Sequence, residues 1–440
     1  MTTRLHRILL SLTLGAVLLL PTSQAADLWT IYQTALQHDA ELRAAEADYR
    51  AALEARPQAR SVLLPQIDAG ATQAHTRSEP SPGSSFSYDT TRFDITLNQS
   101  VYDHRNYVAL RQADLGIAQA TAFRDAARQD LILRVSEAYF AVLTAQDTLS
   151  FAEAEKEAIG RQLEQAERRF EVGLIAITDV KESQAQYDIA VAQEIAAMNQ
   201  LDIAREQLAV ITGQYQQALA KLSERLPLSP PEPADMSRWV ESAVDTNLAL
   251  SAQRFATEFA AEEINRQRAG HYPTLGLQAS YADIENSGAP AGSTQFNDRS
   301  DAQIALQLRV PIFSGGRTTS LTRESRERFD GARERLELTQ RRTIQQTRSA
   351  YLSVMAGISR VQALNQALAS TQAAAEAAEA GFEVGTRTAV DVLLALREVF
   401  RAQRDYAQAR YEFVVNTLRL KQAAGTLDEQ DIQAINAWLE

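Results

Sequence analysis

The sequence contains no cysteine, so it offers neither a disulfide nor a thiol for a lipid anchor. Nor does it have an excess of positive charge, because 44 Lys and Arg residues oppose 56 Asp and Glu residues and the net charge is −12. Proteins that bind nucleic acids need clustered cations to neutralise phosphates, so the composition argues against a nucleic-acid partner. We expect the extra carboxylates to solvate the faces of helices.

The apolar run ILLSLTLGAVLLL, from Ile8 to Leu20, has thirteen residues, and that is too few for a helix to cross a bilayer. Arg4 and Arg7 precede the run, and Ser23-Gln24-Ala25 follows it. A basic start, a short apolar segment and a small-residue site are typical of a secretory signal. We therefore expect residues 1–25 to be a signal peptide, cleaved near Ala25, and the mature chain to be exported.

Proline is absent from two long tracts, one between Pro82 and Pro227 and one after Pro311. Both tracts are rich in Ala, Gln, Glu, Arg and Leu, which favour helix. Their apolar residues recur at mixed spacings of three and four, as in an amphipathic helix. One nearly continuous helix over residues 104–170 would be about 100 Å long. A helix of that length needs long neighbours, so we expect coiled-coil packing.

Four other segments alternate between apolar and polar residues, which predicts strands with one apolar and one polar face. They cover residues 65–71, 93–101, 274–281 and 302–310. Loops rich in Ser, Gly and Pro, at 78–88 and 285–294, are expected to join them as two hairpins. Aromatic residues flank the strands as in the two girdles of a membrane barrel: Tyr102, Tyr272 and Phe313 at one end, and Phe86, Tyr88 and Phe296 at the other.

The strand pattern alone fits two structures, an antiparallel sheet over a soluble core and a barrel in a membrane. The expected signal peptide favours an outer-membrane barrel. Four strands cannot close a barrel, and lipid does not tolerate open sheet edges, so the chain must oligomerise. Two copies would give eight strands with a filled interior, whereas three copies would give twelve strands around water. Polar residues on the inner face favour three copies.

The chain also contains an internal duplication. The stretch FEVGLIAITDV at residues 170–180 returns as FEVGTRTAVDV at residues 382–392. Matching residues lie 208 to 212 positions apart along the mature chain, as in Pro65 and Pro273, and in Gly213 and Gly425. Self-similarity over this length indicates a duplicated structural unit.

Each half is predicted to contain a helix, a strand, a loop, a second strand, a long helix, a turn and a second helix. We expect a first repeat at residues 26–225, a linker at 226–235 and a second repeat at 236–440. The turns of the two FEVG stretches are expected at Gly173 and Gly385, since glycine commonly ends a helix.

Several motifs together resemble the TolC family of outer-membrane channel proteins. They are LLPQI at 63–67, RRFEVGLIAITDV at 168–180, YPTL at 272–275, VPIFSGGR at 310–317 and GFEVGTRTAVDVL at 381–393. The resemblance implies a fold that is mostly α with β, in which three protomers build one twelve-stranded transmembrane barrel and a long periplasmic tunnel of coiled-coil helices. It also implies that the FEVG stretches are the turns at the inner tip, where periplasmic adaptors and inner-membrane transporters engage.

The resemblance further implies a latch that holds the tip closed. Arg387 matches the gate arginine of the family, and Thr178 with Asp179 matches its partners on the neighbouring coiled coil. Phe382 departs from the family pattern, because a tyrosine at this place can donate a hydrogen bond across the gate. The closed state is therefore expected to have fewer polar contacts.

A ring of carboxylates at the entrance is the second implied feature. Asp391 matches one of two acidic positions that form such rings, whereas Leu394 occupies the other, so only one ring is expected. The alternative for Asp391 is a helix cap or a solvated residue near a helix start.

No pattern of the sequence indicates an enzyme, a metal or another cofactor. The histidines of the mature chain have no second ligand at metal-binding spacing, and no phosphate-binding glycine loop occurs. We predict a homotrimeric exit duct in the cell outer membrane, in contact with lipid, that is gated at its periplasmic tip and exports small toxic molecules or proteins. The alternative is a soluble periplasmic coiled-coil scaffold without a channel.

Overall fold

The computed structural model describes residues 25–440, apart from 80, 82, 217 and 289–296. The expected signal peptide, except Ala25, lies outside the described residues, as do Phe296 and most of the loop predicted at 285–294. Among the helices that are described, none has both the length and the apolarity that a membrane crossing requires.

The described residues form ten α-helices, one short 3-10 helix and four β-strands, so the fold is mostly α with β, as predicted. The first half contains α1 (Leu28–His38), α2 (Ala40–Leu53), α3 (Ala55–Ser61), β1 (Gln66–Ser78), β2 (Phe86–Tyr102), α4 (His104–Glu171) and α5 (Ile177–Thr212). The second half contains α6 (Met236–Thr246), α7 (Leu248–Arg268), the 3-10 helix Ala269–His271, β3 (Thr274–Ser287), β4 (Arg299–Arg309), α8 (Arg317–Glu383), α9 (Ala389–Ala423) and α10 (Glu429–Asn436).

The four strands form one antiparallel sheet in the order β1-β2-β3-β4. Both predicted hairpins are confirmed, and the pairing of β2 with β3 joins them. The predicted bounds of the first hairpin loop are wrong, because β1 extends to Ser78 and β2 begins at Phe86. The backbone ladder continues through polar pairs such as Thr72 and Arg92, where side-chain alternation no longer marks a strand.

One face of the sheet is apolar and the other is polar, as the alternation predicts. On the apolar face Ile95 lies opposite Tyr281, and Ile304 lies on the next strand. Ile95 is 53% exposed and Ile304 is 80% exposed, so the protomer leaves this face bare. Asn98 and Gln278 form a pair on the polar face. Among the described residues, no strand pairs with the outer edge of β1 or of β4.

The described members of the two aromatic girdles lie at opposite ends of the sheet. Tyr102, Tyr272 and Phe313 are at the end where the strands join helices, whereas Phe86 begins β2 at the other end and Tyr88 follows it. This separation places aromatic rings on both sides of the apolar face, which is where the two interfaces of a membrane would be.

The long helices confirm the prediction for residues 104–170, since α4 has 68 residues and α8 has 67. Each is about 100 Å long. α4 packs along α5, α8 packs along α9, and contact between α4 and α9 joins the two pairs. The four helices therefore lie in the order α5, α4, α9, α8, which leaves α5 and α8 at the outer edges, just as β1 and β4 are at the edges of the sheet.

The main apolar core lies part-way along the long helices, where the middle of α4 packs against α1 and α9, and α10 packs against α1. Tyr139 is fully buried there, and its hydroxyl donates to the backbone oxygen of Ala220 over 2.7 Å. The hydroxyl of Tyr411 donates to Asp147 over 2.7 Å. Burial raises the pKa of both phenols. This cluster fixes the positions of the long helices from which the two FEVG turns extend.

Candidate functional site at the two helix turns

Both FEVG stretches end a long helix in the same way. The N–H of Gly173 donates to the oxygen of Phe170, and the N–H of Leu174 reaches back to Arg169, each over 2.9 Å. The second turn repeats this pattern from Gly385, which has a φ of 81° against 77° for Gly173. A positive φ strains any residue with a Cβ atom, which is why glycine ends both helices. A turn therefore lies at each of these two glycines, and their role as the tips of a tunnel stays a prediction.

The helices that follow the two turns begin differently. In α9 the hydroxyl of Thr388 accepts the N–H of Asp391 over 3.2 Å, and the Asp391 carboxylate accepts both the N–H and the hydroxyl of Thr388 over 2.9 Å. This is a capping box, which satisfies amides at a helix start. In α5 the equivalent cap position is Ala176, which makes no side-chain bond, so Asp179 is left without such a partner.

Hydrogen bonds and a nearby positive charge stabilise the ionised carboxylate of Asp391. The N–H and the hydroxyl of Thr388, together with the nearby charge of Arg387, hold the pKa of Asp391 below its ordinary value. Both hydrogen bonds end on the same carboxylate oxygen, Oδ2. The helix-cap alternative for Asp391 is therefore realised in the protomer, while its role in an entrance ring remains a prediction.

Arg387, Thr178 and Asp179 are accessible at the tip. Arg387 and Thr178 are exposed and Asp179 is half-buried. Within the described part of a single protomer, neither Arg387 nor Asp179 forms an ion pair. The structure thus places the predicted latch residues at the two turns without bringing them into contact inside one protomer.

Phe382, by contrast, is buried within its own protomer. It is 8% exposed and packs with Ala389 and Val392 at the start of α9. The guanidinium carbon of Arg169 lies 4.1 Å above the centre of its ring, which is the geometry of a cation–π contact. Arg169 belongs to the first turn and Phe382 to the second, so this contact joins the two coiled coils at the tip.

Arg169 and Gly381 are functional candidates that motif analysis missed. They occupy the same place in the two repeats, directly before the FEVG stretch. A Cβ atom on Gly381 would come within 2.8 Å of Cγ of Arg387, so glycine is needed for the arginine stem to lie here. Comparing the two repeats position by position would have shown this exchange of arginine for glycine.

Apolar side chains also cover the outer surface of both turns. Val172 is 70% exposed, Leu174 is 72% exposed and Val384 is 76% exposed. Leu394, in the second turn of α9, is 50% exposed. Exposed apolar side chains therefore lie at or directly after both turns.

The fold agrees with the comparisons with known proteins. The family model described as Outer membrane efflux protein matches residues 31–214 and 239–426, one segment in each half. The chain belongs to this family. Outer membrane protein TolC of Vibrio cholerae is 40% identical over 94% of both chains. Alkaline protease secretion protein AprF of Pseudomonas aeruginosa is 30% identical over 98% of this chain and 91% of the relative.

A solved structure supports the fold of this efflux-family chain. The outer membrane protein VceC from Vibrio cholerae has a TM-score of 0.73 and 20% identity, over 90% of this chain and 96% of that chain. Together with the family match and the similarity to TolC, this identifies an outer-membrane channel protein and confirms the predicted location in the outer membrane.

Proposed function

We propose that three copies of this chain form one exit duct through the outer membrane, closed at rest by the two helix turns of each copy. The observation that carries the proposal is the four-stranded sheet, which has a bare apolar face and, in the part of the chain that the structure describes, two unpaired edges. An unpaired strand edge cannot lie in lipid, because its backbone groups need hydrogen-bond partners from another strand. Three copies give a twelve-stranded barrel with a water-filled interior.

The helices support the same arrangement. On α5, at one edge of the helical layer, Ile195 is 62% exposed and Val210 is 80% exposed. On α8, at the other edge, Leu338 is 46% exposed and Leu352 is 59% exposed. Exposed apolar side chains therefore remain on both outer helices of the protomer, α5 and α8. Pairing α5 of one protomer with α8 of the next would cover them and close a helical tunnel below the barrel.

The duplication explains how one chain supplies two similar parts of this wall. We place the first structural repeat at residues 26–225, the linker at 226–235 and the second repeat at 236–440. Each repeat contributes one hairpin to the barrel and one coiled coil to the tunnel. Because each coiled coil has its own turn, the tunnel ends in six turns that must move apart to open.

The proposed latch joins neighbouring protomers. Arg387 of one copy would pair with Thr178 and Asp179 of the next, which is consistent with the lack of an ion-pair partner for either charge among the described residues of its own protomer. Phe382 contributes differently, since it is held under Arg169 within one copy. Asp391 from three copies would form a single acidic ring at the entrance.

The exposed apolar tip suits a protein partner. Val172, Leu174 and Val384 are exposed at the turns, and this supports docking of a periplasmic adaptor there, linked to an inner-membrane transporter. The cargo class follows from the relatives, of which one is named for the secretion of alkaline protease and the family for efflux. We infer export of small toxic molecules, proteins or both, driven by the partner and not by a catalytic centre or cofactor of this chain.

Three measurements, one on isolated membranes and two on the purified protein, test this function. Mass determination in mild detergent should give a trimer, carbonate washing should leave the protein in the outer membrane, and planar bilayers should show conductance. A folded monomer that is stable in detergent would refute the barrel. Release by carbonate would instead support the soluble scaffold.

A further inference from the structure

Arginines are concentrated at the end of the sheet where strands join helices. The four joining segments, 56–65, 103–107, 266–273 and 310–317, contain six arginines and a single carboxylate, that of Asp103. The chain as a whole has a net charge of −12. The positive excess at this level therefore opposes the overall composition and points to a specific anionic partner.

Half of this charge is not neutralised within the described part of the protomer, since Arg56 pairs with Asp114 and Arg266 pairs with Glu263. Arg60, Arg268 and Arg317 are exposed, and within the described part of the chain none of them forms an ion pair. Arg105 is paired with Asp103 over 2.6 Å. Glu263 raises the pKa of the nearby Arg266, whereas the positive charge of Arg105 opposes that effect, so like charges lie close together here.

The arginines recur at equivalent places in the two repeats. Arg60 and Arg268 are 208 positions apart, and Arg105 and Arg317 are 212 positions apart. These are the offsets that relate the two halves elsewhere, so every strand has an equivalent arginine beside its junction with a helix. The tip turns, in contrast, differ between repeats at the residue before FEVG.

Apolar and aromatic side chains stand next to the unpaired arginines. Val62 is 50% exposed, Tyr272 is 40% exposed, Ile312 is 95% exposed and Phe313 is 88% exposed. They continue the apolar face of the sheet to its end. A band of exposed apolar and aromatic residues with cations at its rim is the pattern found where a protein passes from acyl chains into lipid headgroups.

We propose that Arg60, Arg268 and Arg317 bind the phosphates of anionic phospholipids in the periplasmic leaflet of the outer membrane. The proposal rests on the membrane insertion described under the proposed function. A guanidinium can donate two parallel hydrogen bonds to one phosphate group. An interface without net charge would not need arginines for this purpose. Each basic residue near an anionic surface strengthens binding roughly fivefold. The lipids would also neutralise the crowded arginines around the completed barrel.

Native mass spectrometry of the detergent-solubilised trimer can test this, with phosphatidylglycerol and phosphatidylethanolamine as probes. The wild type should retain phosphatidylglycerol preferentially, and the double variant Arg268→Gln/Arg317→Gln, which removes two basic residues, should bind it about 25-fold more weakly. The variant Arg268→Lys/Arg317→Lys should keep most of the preference. Arg225→Gln/Arg238→Gln, which removes two exposed arginines away from the sheet, is the matched control and should behave as wild type.

Equal loss of phosphatidylglycerol in the glutamine variant and the control would overturn the proposal. So would competition by inorganic phosphate at low millimolar concentration, since that would assign a free anion to the site. Trimer mass and conductance, measured on the same samples, report separately on the proposed function. A conducting trimer without lipid preference would reject only the lipid site.

Discussion

Replacing Arg387 with alanine should increase the ratio of open to closed channels about tenfold. The arginine is exposed and forms no ion pair within the described part of its own protomer, so its expected partners are Thr178 and Asp179 of the neighbouring copy. An exposed pair contributes roughly 0.5 kcal/mol. Three pairs around one axis would contribute roughly 1.5 kcal/mol, which corresponds to about a factor of ten. Phe382 has no hydroxyl to compensate for the loss.

Single-channel recording in planar bilayers measures this ratio directly. Asp179→Ala should have the same effect, and the exchanged pair Arg387→Asp with Asp179→Arg should restore closure. Arg168→Ala is a matched control, because Arg168 is an exposed arginine near the same turn that pairs with Glu164 of its own helix. If neither alanine substitution at the proposed latch changed the open fraction, the two residues would be solvated surface residues without a role in gating, and the latch would be refuted.

Five other substitutions separate the roles assigned to the tip and the helical wall. Asp391→Ala should abolish most of the block of the channel by a trivalent cation, and Leu394→Asp should deepen that block. Thr388→Ala is the control, because it breaks the capping box but keeps the Asp391 carboxylate, so it should not alter the block. The block is measured by titrating the cation against single-channel current, and a block that neither Asp391→Ala nor Leu394→Asp changes would exclude the ring. Gly385→Ala should destabilise the second turn by about 1 kcal/mol because φ is 81°, seen as faster amide hydrogen exchange there; unchanged exchange would contradict this. Burial acts to raise the pKa of Glu263, but hydrogen bonds from three neighbouring side chains outweigh it and lower the pKa from 4.5 to about 2. This stabilisation, up to about 3 kcal/mol, is complete above pH 4.5 and lost as the pH falls through about 2, so the melting temperatures of wild type and Glu263→Gln should converge in acid; a constant gap would disprove the linkage.

Elements in which apolar residues recur at a regular spacing could be predicted from the sequence. The long helices and the four strands are of this kind, because each segment shows its spacing of apolar residues locally. The pairing of β2 with β3 could not be predicted, since it joins the two halves of the chain and no nearby turn marks it. The core around Tyr139 was missed for a similar reason, because it combines α1, α4, α9 and α10 from distant parts of the chain.

The candidate site divides in the same way. The glycine turns follow from the repeated motif, and the start of α9 follows from Thr388 and Asp391 at capping-box spacing. The contact between Arg169 and Phe382 depends on how two coiled coils meet, which no single helix encodes. The proposed partners of Arg387 belong to a neighbouring protomer, so they follow only from the resemblance and from the geometry of the proposed assembly.

The edges of β1 and β4, which are unpaired among the described residues, also determine whether a mutant allele is dominant over a normal one in a cell that makes both chains. A chain with an altered tip but intact strand edges would still enter barrels beside normal copies. With equal amounts of both chains and random mixing, about one-eighth of the barrels would contain three normal copies. Alleles that lock the tip shut should therefore be dominant, whereas alleles that spoil a strand edge should be recessive, because such chains never join a barrel and leave the normal copies to assemble among themselves.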